Sequence, residues 1–390
     1  MSALIKNLKM RINDMDKPLL FFTIVMLGFG LLNIVTASSR EAVSKDVELY
    51  YYFYRHLIMI IAGCVLSFFI INIPTSFYKK FGIVPIIILA AYMALSLLSA
   101  SEIRGAKNWS TIGNQTFQPS EFAKPLVIVV LASLYDLYYR KLVNPNIKHT
   151  EIIVKIILAS LIIPIIVFFQ KDLGTMFIQL VIFMTMFLVS PVSIREKFET
   201  FGVLTIFGVL SIGVMIMVRG NIFTEEQIGR FTNFRQPCHN YEDDGYQVCN
   251  GIIAINDGGL FGVGIGKSKQ KYSYIPEPHT DSVFAIIAEE YGLIRVTPIF
   301  AIYLFILYRI LLLAKRANTI RGRYICLGVG IYIFTHIFIN LGGLFALIPL
   351  TGVPLPFLSY GGSFTISLIA ALALVQRVHI ETKNQKIKIQ

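Results

Sequence analysis

Asp281 is the side chain best placed to do chemistry. It stands in PEPHTDSVFAIIAEEYG, residues 276–292, where Pro276 and Pro278 lead to His279, Thr280 and Asp281 before an apolar run that carries Glu289 and Glu290. One reading is structural: Thr280 or Asp281 caps the following helix by accepting from its free backbone N–H groups. The other is catalytic. The prolines stiffen the approach, and an imidazole stands two residues away. A carboxylate at the rim of a low-dielectric surface holds its proton more tightly, which suits a general base. Spacing alone leaves both readings open.

A second polar group lies in SEIRGAKNWSTIGNQTFQPSEFAKP, residues 101–125, with Arg104, Lys107, the single tryptophan Trp109, Glu121 and Lys124. Glu121 and Lys124 are three apart at the start of an apolar helix and share one face. The structural reading makes Ser120 an N-cap, Trp109 an interfacial anchor and Glu121–Lys124 a local ion pair. On the functional reading, charges that dip into a span usually face a cavity or a pathway, and clustered cations call for an anion such as phosphate. QKDLGT, residues 170–175, reads as a tight turn holding a Lys171–Asp172 ion pair. GGLFGVGIG, residues 258–266, fails the G-x-G-x-x-G spacing because Lys267 takes the last glycine's place. It reads instead as backbone packed on backbone at the membrane face, tolerated only where protein or a wet cavity covers it. Lys267, Lys269 and Lys271 follow as a solvated run or as a grip on anionic head groups. PLTGVPLPFLSYGGS, residues 349–363, contains Ser359 and reads as a stiff apolar turn suited to packing beside an acyl chain or a partner helix.

Membrane-spanning helices must position these groups. Of 390 residues, 55% are hydrophobic and 15% charged, against roughly 25% charged in an ordinary soluble domain. The pattern predicts an all-α integral membrane protein with about ten transmembrane helices, near 18–36, 56–73, 82–100, 122–138, 151–169, 173–190, 199–218, 282–313, 324–347 and 363–379. A single membrane domain covers 1–390, and 219–281 forms one large loop with a half-buried glycine-rich segment. The first span follows Lys6, Lys9, Arg11 and Lys17, is longer than a signal peptide's apolar core and has no A-x-A site after it, so it reads as retained. Lys79, Lys80, Arg140, Lys141, Arg195, Lys315, Arg316, Arg321, Arg323 and Lys383 crowd the segments of one side. The positive-inside rule assigns that side to the cytoplasm, giving N-in and C-in with 101–121 and 219–281 extracytoplasmic. The formal charge of +12 is split among these clusters and does not argue for nucleic acid. Cys64 and Cys326 lie in apolar runs; Cys238 and Cys249 share the polar loop and can bridge if it faces an oxidising side.

Taken in order, RGAKNWS with QPSEFAK, the QKDLGT turn, GGLFGVGIGKSKQKYSYIPEPHTDSVFAIIAEE and PLPFLSYGGS resemble the SEDS family of bacterial shape, elongation, division and sporulation proteins, over nearly the whole chain. The resemblance implies a peptidoglycan glycosyltransferase of the bacterial cytoplasmic membrane. Such an enzyme polymerises lipid II on the outer face, with a class B penicillin-binding protein and other divisome or elongasome membrane proteins as partners. The family's proposed catalytic aspartate falls on Asp281. The loop PCHNYEDDGYQVCNG looks like that of FtsW-type members from some Gram-positive bacteria, which leans to cell division. RodA-type elongation is the alternative, with the same chemistry. One departure is QKDLGT, where many members read QPDLGT; it removes a proline from the turn.

The implied reaction is an inverting sugar transfer between two lipid-linked disaccharides. The acceptor 4-hydroxyl attacks the anomeric carbon of the donor, and undecaprenyl diphosphate leaves. Asp281 is expected to take the hydroxyl proton. Arg104, Lys107 and Lys124 are expected to meet the diphosphate, with Glu121 orienting Lys124; Trp109, Lys267, His279 and Ser359 complete the candidate substrate contacts. No cofactor is required, because the lipid diphosphate is already activated. A divalent cation, Mg2+ or Mn2+, over the diphosphate fits on general grounds, although no ligand cluster in the sequence demands one. The rivals are a lipid II flippase or transporter and a non-catalytic scaffold for a penicillin-binding protein. A transport path would place charges near mid-span in repeat-related helices, whereas here they gather at helix ends.

Overall fold

Helix Lys17–Ala37 begins where the Asp16 side chain accepts from Leu19 N–H at 3.0 Å, with Pro18 in the opening turn. The computed structural model describes residues 12–99, 108–112, 115–144, 146–219, 228–229, 232, 234, 236–239, 244–273, 275 and 278–389. In chain order the helices are α1 Lys17–Ala37, α2 Ser39–Ser44, α3 Tyr51–Asn72, α4 Thr75–Tyr78 and α5 Val84–Ser99. An antiparallel hairpin of β1 Ser110–Ile112 and β2 Gln115–Phe117 follows, with Thr111 opposite Thr116. Then come α6 Pro119–Leu142, α7 Thr150–Phe169, α8 Leu173–Leu188, α9 Ile194–Arg219, α10 Asp244–Gly258, α11 Gln270–Ser273, α12 Val283–Arg316, α13 Ile320–Leu344 and α14 Gly362–Ile389. Each expected span falls on one of these helices. Among the described residues seven are long and apolar enough to cross a membrane, and α5 and α8 hold shorter apolar stretches.

The helices sort into a centre and a rim. In the apolar window of α14, 83% of residues are buried, against 22% in α3. The outer helices turn Phe21, Leu32, Phe69 and Ile88 outward, as a surface solvated by lipid allows. Charge is gathered at the end that holds residues 12–16 and the close of α14. There Asp16 N–H donates to Gln376 Oε1 at 2.8 Å, Arg309 pairs with Asp16, and Asp136 takes both Lys79 at 3.0 Å and Arg321 at 2.9 Å. The candidate site lies at the opposite end, where α6, α12 and α14 begin and α13 closes.

Two glycines allow backbone to replace helix at that opposite end. Gly292 sits inside α12 with φ 76° and ψ 165°, which breaks the helical ladder. The freed donors of Leu293 and Ile294 find Gly259 O at 2.9 Å and Leu260 O at 3.2 Å, while Val263 and Gly264 donate to Glu289 O and Glu290 O. A Cβ on Gly262 (φ 81°) would stand 2.3 Å from Glu290 O. The glycine-rich segment is thus an adopted strand of backbone bonds against a broken helix, satisfied as irregular backbone at membrane depth must be. Lys271 is not part of a solvated run: it is 1% exposed, paired with Glu290 at 2.9 Å and donating to Gly266 O at 2.8 Å. Burial this complete makes that pairing obligatory.

Candidate active site

Asp281 lies just before α12 and is 5% exposed. The N-cap of α12 is Ser282, with no side-chain cap bond, so Asp281 does not serve as the helix cap. Its Oδ1 accepts from Gln247 Nε2 at 3.0 Å and from Thr280 Oγ1 at 3.2 Å, and Gln247 also donates to Ser282 Oγ at 2.9 Å. Its Oδ2 lies 3.8 Å from where a Cβ on Gly352 would stand, so the 349–361 loop walls that side. Asn340, in the last turns of α13, holds both partners: its Nδ2 donates to Asp281 O at 2.7 Å and to Val353 O at 2.8 Å.

His279 and Ser359 belong to the same wall. Tyr360 N–H donates to His279 O at 2.8 Å, and the His279 ring stands 4.7 Å from Tyr52 and 5.2 Å from Tyr360 between centroids. Ser359 Oγ turns inward to accept from Leu355 N–H at 2.8 Å. Glu121 and Lys124 form the expected pair, Nζ to Oε1 2.7 Å, but deep in the bundle: Lys124 is 0% and Glu121 2% exposed. Lys124 Nζ also lies 3.2 Å from His336 Nε2. Ser120 is not the N-cap. Gln118 holds that position, α6 opens on Pro119, and Ser120 Oγ is buried without a hydrogen-bond partner.

Asp172 does more than close a turn. Its Oδ1 caps α8 by accepting from Thr175 N–H at 3.0 Å, and its Oδ2 accepts from Asn108 Nδ2 at 2.6 Å and Gln118 Nε2 at 2.8 Å. It thereby fastens both ends of the β1–β2 segment and the half-buried Trp109 beside Asn108. Lys267 stands exposed on the glycine-rich loop, its backbone N–H donating to Gly264 O at 3.1 Å. Arg104 and Lys107 lie outside the described residues. Cys238 and Cys249 are joined as a disulfide, and Cys249 sits on α10 two residues after Gln247.

Gln247, Asn340, His336 and Gly352 were not among the sequence candidates. His336 and Asn340 carried a usable signal: two polar side chains four apart in an apolar run lie on one helix face. Gln247 carried none, because α10 is short and mixed in composition.

The FtsW/RodA/SpoVE family model, described as "Cell cycle protein", matches residues 17–384. The chain belongs to this family. It is 33% identical to the probable peptidoglycan glycosyltransferase FtsW of Bacillus subtilis (strain 168), covering 98% of this chain and 94% of that one. It is 29% identical to stage V sporulation protein E of the same organism, over 93% of this chain and 96% of the relative. Among solved structures, a chain of a peptidoglycan synthase complex that coordinates polymerization and crosslinking superposes with TM-score 0.71 at 23% identity, covering 94% of this chain and 98% of that one. The rod shape determining protein RodA of Thermus thermophilus superposes with TM-score 0.65, also at 23% identity, over 94% and 96% of the two chains. Those two likenesses establish the fold: this family member is an all-α, multi-pass membrane protein.

Proposed function

We propose that the protein is a peptidoglycan glycosyltransferase that polymerises lipid II at the outer face of the bacterial cytoplasmic membrane, in cell division. The observation that carries the reading is Asp281. One carboxylate oxygen is fixed by Gln247 and Thr280, the other is flanked by the Gly352 turn, and the group sits at a helix end of an apolar bundle. A fixed carboxylate of this kind suits a general base. The names of the most similar relatives supply the reaction class.

The acceptor's 4-hydroxyl attacks the donor's anomeric carbon, the C–O bond to the diphosphate breaks, and the hydroxyl proton passes to Asp281. Arg104 and Lys107 meet the departing diphosphate, where positive charge lowers the barrier. Lys124 is fully buried, and with Glu121 and His336 it ties the start of α6 to α13. A divalent cation over the substrate diphosphate fits on general grounds. Two facts support the outer face: Lys and Arg concentrate at the opposite end, and a disulfide in the 219–281 loop suits an oxidising compartment. The resemblance to a subunit of a synthase complex supports a single-span, class B penicillin-binding protein as partner.

The test is reconstitution with lipid II and that partner. Wild-type protein is expected to give glycan polymer without added energy. Asp281→Asn is expected to fold normally and lose ~10²–10⁴-fold of the rate. Lipid movement across the membrane with no polymer would favour a flippase, and full polymerisation by D281N would favour another base.

A further inference from the structure

His336 is fully buried on α13, and both its ring nitrogens have an assigned task. Nδ1 lies 3.2 Å from Pro354 O, and Nε2 lies 3.2 Å from Lys124 Nζ. A carbonyl oxygen can only accept, so Nδ1 carries the proton. An ammonium can only donate, so Nε2 presents its lone pair. The ring is therefore neutral, in one tautomer. Its plane is held as well, stacked on Phe364 at 4.6 Å between centroids and met edge-on by Tyr332 at 4.9 Å.

We propose that His336 is a positioning residue of the active site: a neutral imidazole that receives Lys124 on one nitrogen and holds the Pro354 carbonyl on the other, so that one ring sets the buried cation and the loop beside Asp281 together. Asn340, one helical turn further along the same face, donates to Val353 O and Asp281 O. Two consecutive loop carbonyls, Val353 and Pro354, are thus gripped by two consecutive turns of α13. Gly352 precedes them and flanks Asp281 Oδ2. Loss of His336 releases Pro354 O from α13 and leaves the Lys124 ammonium on Glu121 alone. The loop wall then moves relative to the carboxylate that the reaction needs fixed, and a displacement near 1 Å in such a site can cost ~10²-fold in rate.

This inference rests on the proposed reaction for its kinetic test but not for its spectroscopic one. Full-length protein with 15N-labelled histidine is placed in lipid nanodiscs, and the His336 signal is assigned by its disappearance in His336→Gln. At pH 7 it is expected as a neutral ring protonated at Nδ1, and Lys124→Met is expected to shift the Nε2 resonance. An imidazolium, an Nε2–H tautomer or a signal indifferent to K124M overturns the proposal, whatever the protein's activity. In lipid II polymerisation, His336→Leu is expected to lower kcat at least tenfold with KM changed less than twofold. His336→Gln, which keeps an acceptor and a donor at the end of the side chain, is expected to stay within about threefold of wild type. Equal loss in H336Q and H336L, or a loss carried wholly by KM, also overturns it. If wild-type protein makes no polymer while the spectra hold, the reaction assignment has failed and the role of His336 in the fold stands.

Discussion

The Glu121–Lys124 pair makes a sharp quantitative prediction, because it is an ion pair taken out of water at both ends. Lys124 Nζ and Glu121 Oε1 are 2.7 Å apart, with side chains 0% and 3% exposed. At that distance the direct attraction is about 6 kcal/mol for an effective dielectric of about 20, and most of it offsets the cost of burial. Removing one partner leaves an uncompensated charge and costs about 3–5 kcal/mol, whereas replacing both with apolar residues of similar volume is neutral or stabilising by ~1–4 kcal/mol. The geometry also ranks the two single variants. In Glu121→Leu, Lys124 keeps His336 Nε2 at 3.2 Å as an acceptor, so the loss falls near 3 kcal/mol. In Lys124→Met, the Glu121 carboxylate keeps no partner for Oε1, and its Oε2 has none already, so the loss approaches 5 kcal/mol. The double variant E121L/K124M is expected to recover wild-type stability. Thermal unfolding in nanodiscs, read by labelling of buried Cys326 in a Cys64→Ser background, measures all four proteins. Three variants within about 0.5 kcal/mol of one another would mean that the charges are not buried against each other, and the reasoning would be wrong.

Other outcomes follow from single features. Gly262→Ala is expected to abolish folded protein in detergent gel filtration, since its Cβ would press on Glu290 O at 2.3 Å; Gly28→Ala, with nothing within 4 Å on α1, is expected to be neutral or stabilising by ~0.5–1 kcal/mol. His149 donates from Nδ1 to Glu196, and that hydrogen bond raises its pKa above the usual 6.5. Its contribution is therefore complete below pH 6.5 and fades as pH climbs through the raised folded value. The melting-temperature gap between wild type and His149→Leu is expected to be widest at pH 6 and to shrink by pH 8.5; a gap that widens with pH would contradict the pairing. Non-reducing peptide mass spectrometry is expected to recover Cys238 linked to Cys249. Cys238→Ser/Cys249→Ser is expected to lower the rate more than the melting temperature, since the bridge steadies the helix that carries Gln247 toward Asp281.

The helices were legible because membrane physics writes them plainly. A chain in lipid must satisfy its backbone within each span, so long apolar runs leave few alternatives. Glu121–Lys124 was legible for a similar reason: i,i+3 spacing on a helix fixes a neighbour without any knowledge of the fold. Asp172 was half-legible, as its capping of α8 is local while its two amide partners come from Asn108 and Gln118, far away in sequence. Ser120 is not the cap because the helix opens on Pro119, two residues earlier than an N-cap at Ser120 implies.

By itself the sequence determined which segments enter the membrane, which family the chain belongs to and which carboxylate could do chemistry. The tertiary structure decided what surrounds that carboxylate. Gln247, Asn340 and the Gly352 turn reach Asp281 from three separate elements, and His336 comes to Lys124 from more than two hundred positions along the chain. Local patterning is set by helical period and lipid contact, which act over a few residues. The placing of a donor within 3 Å of an acceptor depends on how whole helices pack, and that is settled only when every buried side chain has found its neighbour.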